Sequence, residues 1–292
     1  MKDWGLYMVI KVLQNKSFFQ RWKFNRSLAR HMELKKLKYS EILQVLKYKN
    51  INTLFQPIVG VVNSSLIGYE ALNRPIKPRN FSSTEDFYRF LGDTDQIFQF
   101  EQLTRQHSIE KYVELSWKNK STNKEFIFLN VHPKVLNDAN YRSGETLFFV
   151  EKYGLDPRQI VFEITEKQAV HDYTQFERVL ANYRYQGFKI AIDDVGAGYN
   201  SLKTMMCIKP DFIKLDRSFI QKIDKNHSQQ ELVNLFVQYA SQANSKVIAE
   251  GVERFEELQI LIKLKVDYAQ GYYIGRPSVS LIESDLDYKF SI

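Results

Sequence analysis

The chain is predicted to be an α/β protein: a modified (β/α)8 TIM-like barrel with an antiparallel first strand over residues 50–292, preceded by a short basic N-terminal helical extension over residues 1–49. Three observations predict this. From residue 54 onward, eight short β-rich runs alternate with longer helical patterns, and such alternation favours a mostly parallel sheet with its helices outside. The runs extend over about 240 residues, the usual size of a (β/α)8 barrel. The first two are separated only by "NSS", so they pair as an antiparallel hairpin, because a parallel pair needs a crossover of a dozen or more residues.

The elements follow in order. "SEILQVLKYKN" opens on Ser40 as a capping residue and carries apolar residues at 42, 43, 45 and 46, which predicts a short helix ending near Asn50. The strands are read in "LFQPIVGVV", "SLIGYEALNR", "EFIFLNV", "QIVFEITE", "FKIAIDDVG", "FIKLD", "KVIAEGV" and "AQGYYIG". Helical patterns in "STEDFYRFLGD" and "QIFQFEQLTRQHSIEKYVELSW" fill the long connection from Pro75 to Lys124. Two more helices are read in "DYTQFERVLANYRYQG", closed by Gly187 as a C-terminal cap, and "SQQELVNLFVQYASQAN". There is no internal repeat and no low-complexity tract.

At 292 residues and 44% hydrophobic composition the chain suits one large domain with an appendage. Its single cysteine, Cys207, rules out an internal disulfide and a cysteine-based zinc site, and fits a reducing cytoplasm. The apolar stretch from Leu6 to Ile10 is stopped by Lys11 and lacks a small-residue cleavage site, which argues against a signal peptide or a membrane span. Residues 1–49 hold 12 lysines and arginines against three acidic residues, a net +9, which leaves −2 for the rest of a chain of net charge +7. With Trp4, Phe18, Phe19, Trp22 and Phe24 among those charges, the segment suits peripheral contact with an anionic membrane surface or a nucleic acid. The other reading is a solvated helix that packs its aromatics on the main domain.

Polar residues fall near the last position of most runs: Glu70, Asn130, Glu163, Asp193 with Asp194, Lys214 and Glu250. In a barrel of parallel strands those ends gather at one rim, where catalytic groups lie. Five carboxylates and a carboxamide at one mouth repel each other unless a positive charge sits among them, and a divalent cation is the economical source. An all-oxygen donor set, with no cysteine and no suitably placed histidine, favours Mg2+ or Mn2+ over zinc. Adjacent aspartates on an extended strand point to opposite faces, so Asp193 and Asp194 share a site only where the strand gives way to a turn. "VGAG", from Val195, is read as that turn. Singly these signals are weak: Glu70 reads as well as a solvated or ion-paired residue, Asn130 as a turn residue, and Lys214 as a structural partner for Asp216. Their conjunction at six strand ends has no structural reason in an ordinary barrel.

The runs contain "QPIV" at 56–59, "EALNR" at 70–74, "LNV" at 129–131, "FEITE" at 162–166, "DDVGAGYNSL" at 193–202, "IKLDRSFI" at 213–220, "IAEGVE" at 248–253 and "QGYYIGRP" at 270–277. Eight motifs in this order resemble the EAL-domain phosphodiesterases, which hydrolyse the bacterial second messenger cyclic di-GMP to linear pGpG. The resemblance implies a barrel whose first strand is antiparallel. It implies metal ligands at Glu70, Asn130, Glu163, Asp193 and Glu250, with Asp194 on a second metal and Asp193 shared, hence two Mg2+ or Mn2+ ions. Lys214 matches the lysine that holds the attacking water, and Gln270 a glutamine that supports the site, with Asp216 grouped beside it. Gln56 and Arg74 match substrate-contacting positions; an arginine suits a phosphate because its fork donates two parallel hydrogen bonds. Glu166 and Glu253 match the acidic residues that hold the loop after the paired aspartates, a loop that in the family borders a homodimer interface. The chain departs from the family pattern at Val195, Asn200 and Gly60, none of them a metal ligand. No diguanylate cyclase motif is present.

The implied reaction is hydrolysis of one phosphodiester bond, with two cations lowering the pKa of a water between them and Lys214 favouring its hydroxide form. Glu250 is expected as a ligand and as a proton acceptor, two roles that the sequence does not separate. The competing reading is a receptor that binds cyclic di-GMP without cutting it. Lost metal ligands would mark such a protein, and none is lost here. A carboxylate-pair glycosidase on a barrel leaves Asn130, Lys214 and the second aspartate without a role.

Overall fold

A computed structural model describes residues 18–76, 78–118, 125–132, 144–165, 173–196 and 201–282. Trp4, Glu166, residues 197–200 and the side chains of Phe18, Phe19, Trp22 and Phe24 lie outside what it describes. In chain order the elements are α1 (Phe18–Tyr48), β1 (Ile51–Gly60), β2 (Leu66–Pro75), α2 (Thr84–Leu91), α3 (Ile97–Lys118) and β3 (Phe126–Asn130). There follow α4 (Glu145–Lys152), β4 (Ile160–Thr165), α5 (Tyr173–Tyr185), β5 (Lys189–Val195), α6 (Ser201–Ile208) and β6 (Phe212–Leu215). The last are α7 (Arg217–Ile220), α8 (His227–Ala243), β7 (Lys246–Ala249), α9 (Phe255–Lys263) and β8 (Tyr268–Ala269).

The chain divides into two compact units, Met1–Asn50 with Lys77–Gln96 and Ile51–Ile76 with Ile97–Ile292. Residues 77–96, read from the sequence as part of the barrel, therefore group with the amino-terminal helix. Within that unit α1 packs against α2, burying Ile42 and Val45 on one element and Phe87 and Leu91 on the other. Lys38 lies 2.8 Å from Asp86 and over the Phe81 ring at 4.7 Å. Glu41 accepts the backbone N–H groups of Arg79 and Asn80. Ser40 is not a helix start: α1 is one helix of 31 residues with Ser40 in its interior. Residues 18–39 contain no glycine or proline and are rich in Lys, Leu and Arg, so nothing stops the helix before Ser40.

The second unit is a closed barrel with strand order β1 to β8. β1 runs antiparallel to both β2 and β8, and the other neighbours are parallel. Of the expected eighth run, "AQGYYIG" at 269–275, only Ala269 is strand, and β8 takes in Tyr268 before it. Past Ala269 the chain passes so close to the backbone of Val252 that a Cβ at Gly271 would lie 2.1 Å from its carbonyl oxygen, so only glycine fits there. Tyr273 N–H then bonds that same carbonyl at 3.0 Å. Among the described residues no helix is long and apolar enough to cross a membrane.

Strand periodicity divides the barrel into layers. Ile58, Phe128, Val161, Ala191, Phe212 and Ile248 form an apolar cluster made of strand residues alone, the inner plug of the barrel. Ile127, Leu129, Phe162, Ile190, Ile213 and Val247 alternate with them and pack in the outer core with helix residues such as Ile109 and Leu180. Since side chains repeat every second residue along a strand, the inward position two residues past the plug is Asn130, Glu163, Asp193, Lys214 or Glu250 on β3 to β7. The sequence thus places an apolar floor under a polar mouth. Replacing Phe128, whose ring meets Phe126 and Phe212 edge to face, by alanine is expected to lower unfolding stability by about 3–5 kcal/mol. Urea denaturation measures this, and a loss below about 1 kcal/mol would contradict a tightly packed plug.

Candidate active site

Lys214 is the centre of the polar layer. Its side chain is fully buried, yet its ammonium lies 3.3 Å from Glu70, 2.6 Å from Glu163, 3.1 Å from Asp193 and 2.7 Å from Glu250. Burial alone would push this ammonium toward the neutral form; the carboxylates of Asp193, Glu163, Glu250 and Glu70 outweigh it and hold the pKa well above the usual lysine value. The sequence reading placed Lys214 at this rim beside the attacking water; the structure pairs its ammonium with four of the acids.

The acids differ in environment. Burial raises Glu70, but the charge of Lys214 and hydrogen bonds from Gln270 and Asn130 prevail, so its carboxyl lies below the usual range. The bonds are Gln270 Nε2 to Oε2 at 2.7 Å and Asn130 Nδ2 to Oε1 at 3.2 Å. Burial pushes Glu163 well above the usual carboxylate range despite Lys214, with Glu70 and Asp193 adding to the rise. Glu250 is raised in the same way, by burial and then by Asp193.

Asp193 and Asp194 both reach this mouth through an irregularity in β5. Ile192 pairs with Ile213, but the next pair is Val195 with Leu215, so β5 carries one residue more than β6 over that interval, as in a β-bulge. Asp194 absorbs it with φ of 55°, a left-handed conformation that aspartate tolerates better than most residues. Within the expected "VGAG" turn Gly196 has φ of 100°, and Ala197 and Gly198 lie outside the described residues; the left-handed Asp194 adds a departure inside the strand. Asp193, Asp194 and Glu250 each offer a carboxylate oxygen within 4.8 Å of the others.

The donor set fits a hard divalent cation. Both Glu163 oxygens and Asp193 Oδ1 are buried without a well-formed hydrogen bond, although each residue is ion-paired to Lys214. Buried anionic oxygens in that condition retain lone pairs for a ligand, and oxygen-only donors select Mg2+, Mn2+ or Ca2+ over softer metals.

The remaining predicted residues are distributed around this centre. Gln56, opposite Glu70 in the β1–β2 register, donates to Gly275 O at 3.0 Å and accepts from Gln270 at 3.1 Å. Gln56, Glu70, Asp194, Asp216, Glu250, Glu253 and Gln270 line a cavity of about 240 Å³. Arg74 is not among its lining residues; it donates to the carbonyl of Asn73 at 3.2 Å. Asp216 does not pair with Lys214. It lies past the end of β6, where its carboxylate caps α7 through Ser218 N–H at 2.9 Å. Glu253 is exposed at the rim, while Glu166 and part of the loop that both were expected to hold lie outside the described residues. Arg217 and Tyr272 also line the cavity and were not singled out from the sequence, although each sits inside a motif whose neighbour was.

Residues 40–277 match the EAL domain family. Cyclic di-GMP phosphodiesterase PdeF of Escherichia coli (strain K12) is 27% identical over 253 residues, covering 86% of this chain and 33% of PdeF. The PaMucR phosphodiesterase in its c-di-GMP complex has a TM-score of 0.72 at 25% identity, over 82% of this chain and 97% of that one. The manganese and cyclic di-GMP complex of Klebsiella pneumoniae BlrP1 at pH 6 has a TM-score of 0.70 at 27% identity, over 80% of this chain and 57% of that one. The chain spans a third or less of the length of three curated relatives that it matches. With a match that takes in both the acidic mouth and the strands that build it, the chain belongs to the EAL domain family.

Proposed function

We propose that the barrel hydrolyses cyclic di-GMP to linear pGpG with two divalent cations, Mg2+ or Mn2+. One observation carries the reading: a buried ammonium within 3.3 Å of four carboxylates, beside a three-carboxylate cluster at the same mouth. Family membership and the cyclic di-GMP named with PdeF, PaMucR and BlrP1 support the choice of substrate. A cytoplasmic setting belongs to the same proposal and is supported by the single cysteine.

Glu70, Asn130, Glu163, Asp193, Asp194 and Glu250 would hold the cations. Bound there, divalent ions supply a more acidic water and neutralise charge developing on phosphate oxygens. Lys214 keeps Glu70, Glu163, Asp193 and Glu250 gathered and adds positive charge next to the attacking water. Glu250 is at the cavity wall, which places its carboxylate to take up a proton there. Gln270 and Asn130 hold both oxygens of Glu70 in place. Gln56 and Arg74 are proposed to meet the dinucleotide, and Glu253 with Glu166 to anchor the loop after the aspartates.

Glu70→Ala, Asp193→Ala and Lys214→Ala are each expected to reduce hydrolysis by at least about 100-fold, read as pGpG released in a chromatographic assay with Mn2+ or Mg2+. Near-normal turnover by any of them would remove that residue from the mechanism, and full activity after exhaustive chelation would overturn the metal-dependent reading.

Metal binding should release protons. Glu163 and Glu250 have raised pKa values in the metal-free protein, and a carboxylate must lose its proton to ligate. Mn2+ affinity is therefore expected to rise with pH until both groups are ionised. Calorimetric titration in buffers of different ionisation enthalpy checks this; an affinity independent of pH, with no protons released, would overturn the coupling.

The homodimer is proposed on α6, which follows the paired-aspartate loop and exposes Leu202 and Met206, four residues apart, at 64% and 66%. The double substitution Leu202→Glu with Met206→Glu is expected to yield monomers by light scattering and to lower turnover. Full turnover from such monomers would mean that dimerisation is not required.

A further inference from the structure

Behind the strand ends that carry Asn130 and Glu163 lies a buried ion pair that the proposed chemistry does not use. Glu101 and Arg105 stand one turn apart on α3, their side chains 6% and 9% exposed, with Arg105 Nη2 donating to Glu101 Oε2 at 3.2 Å. Neither lines the catalytic cavity. Such a pair is costly to desolvate, and apolar residues of similar size would dock a helix on a barrel as well or better. Something other than adhesion is needed to account for it.

Both partners make further contacts beyond the pair, Glu101 at the segment leaving β3 and Arg105 at the outer face of β4 and the helices beside it. Glu101 accepts the backbone N–H of His132, two residues past Asn130. Between them, Val131 N–H donates to Glu163 O at 2.9 Å, so two amides of the segment leaving Asn130 are held. The Arg105 guanidinium lies over the Phe162 ring at 5.3 Å and donates to Tyr183 OH at 3.3 Å and Thr146 Oγ1 at 3.4 Å. Tyr183 in turn packs on Phe162 with ring centroids 4.3 Å apart. Phe162 points outward from β4, and the next residue, Glu163, points into the mouth beside Lys214.

We propose that Glu101 and Arg105 are positioning residues for the metal ligands: Glu101 sets the exit of β3 and hence Asn130, and Arg105 sets the outer face of β4 and hence Glu163. This rests on the metal-dependent reading above. The pair acts from outside the barrel wall, as the outer partners of metal ligands commonly do, and loss of such partners typically weakens metal affinity about 10- to 100-fold.

The experiment compares wild type with three full-length variants, Glu101→Asp, Arg105→Lys and the double Glu101→Leu with Arg105→Met. Melting temperature, Mn2+ dissociation constant without substrate, kcat and KM are measured for each. The double variant leaves no unpaired buried charge, so it is expected to melt within a few degrees of wild type while binding Mn2+ about 10- to 100-fold more weakly. Its kcat should fall at fixed Mn2+, with KM little changed, and excess Mn2+ should restore part of the loss. Glu101→Asp keeps the charge but shortens the reach to His132, and Arg105→Lys keeps the charge but loses the planar stack; both are expected to weaken Mn2+ binding even if the double variant fails to fold. Wild-type Mn2+ affinity in the folded variants would overturn the positioning role and leave a purely structural pair. If wild type itself bound no Mn2+, the metal-dependent reading would fail first, and this inference with it.

Discussion

The ammonium of Lys214 is the constraint around which the barrel mouth is organised. A fully buried cation needs partners, and here four carboxylates surround it at 2.6 to 3.3 Å. One positive charge cannot balance four negative ones. Burial first, and then the neighbouring carboxylates, hold Glu163 and Glu250 well above their ordinary pKa. Divalent cations bound as proposed would compete with protons for the same oxygens. The lysine therefore does two things at once: it makes burial of the acids tolerable, and it leaves negative charge at the mouth that one ammonium does not balance.

The barrel meets that requirement through a simple geometric repeat. On each parallel strand from β3 to β7 an apolar residue of the inner plug is followed two positions later by a polar residue of the mouth. The plug excludes water from below, so the polar layer opens in one direction only. Low polarity beneath the charges strengthens every interaction among them. β1 reverses the order: Gln56 precedes Ile58, because the strand runs toward the opposite end.

Much of this was legible in the sequence because it follows from period and position. The eight runs, the hairpin forced by "NSS" and the polar residues at strand ends all depend on local spacing. What escaped depends on long-range contacts. Ser40 resembled a helix start because a cap is read from a few residues, whereas the helix through it is continuous from Phe18. The grouping of residues 77–96 with α1 rests on pairs such as Lys38 with Asp86, 48 residues apart. Asp216 looked like a partner for Lys214 by proximity in the chain, yet one side chain points into the barrel and the other caps α7. The aspartate pair was read correctly as needing a break in the strand, but its place at Asp194 depends on pairing with β6, which no local pattern reports.

The costly features of the barrel gather near its mouth. Asp194 adopts a left-handed backbone, Lys214 is a fully buried charge, and Glu101 and Arg105 form a buried ion pair behind β3 and β4. None of these is favourable in isolation. The apolar plug and outer core supply the stability that lets them persist. Such a division separates the two kinds of sequence change: substitutions in the plug act on folding through packing, whereas substitutions at the mouth act on charge and geometry with little apolar area at stake. The Glu101–Arg105 pair falls between these classes. It lies in the helix layer, yet its contacts reach the residues beside Asn130 and Glu163, so its effect on the site depends on placement and not on contact with the reacting atoms.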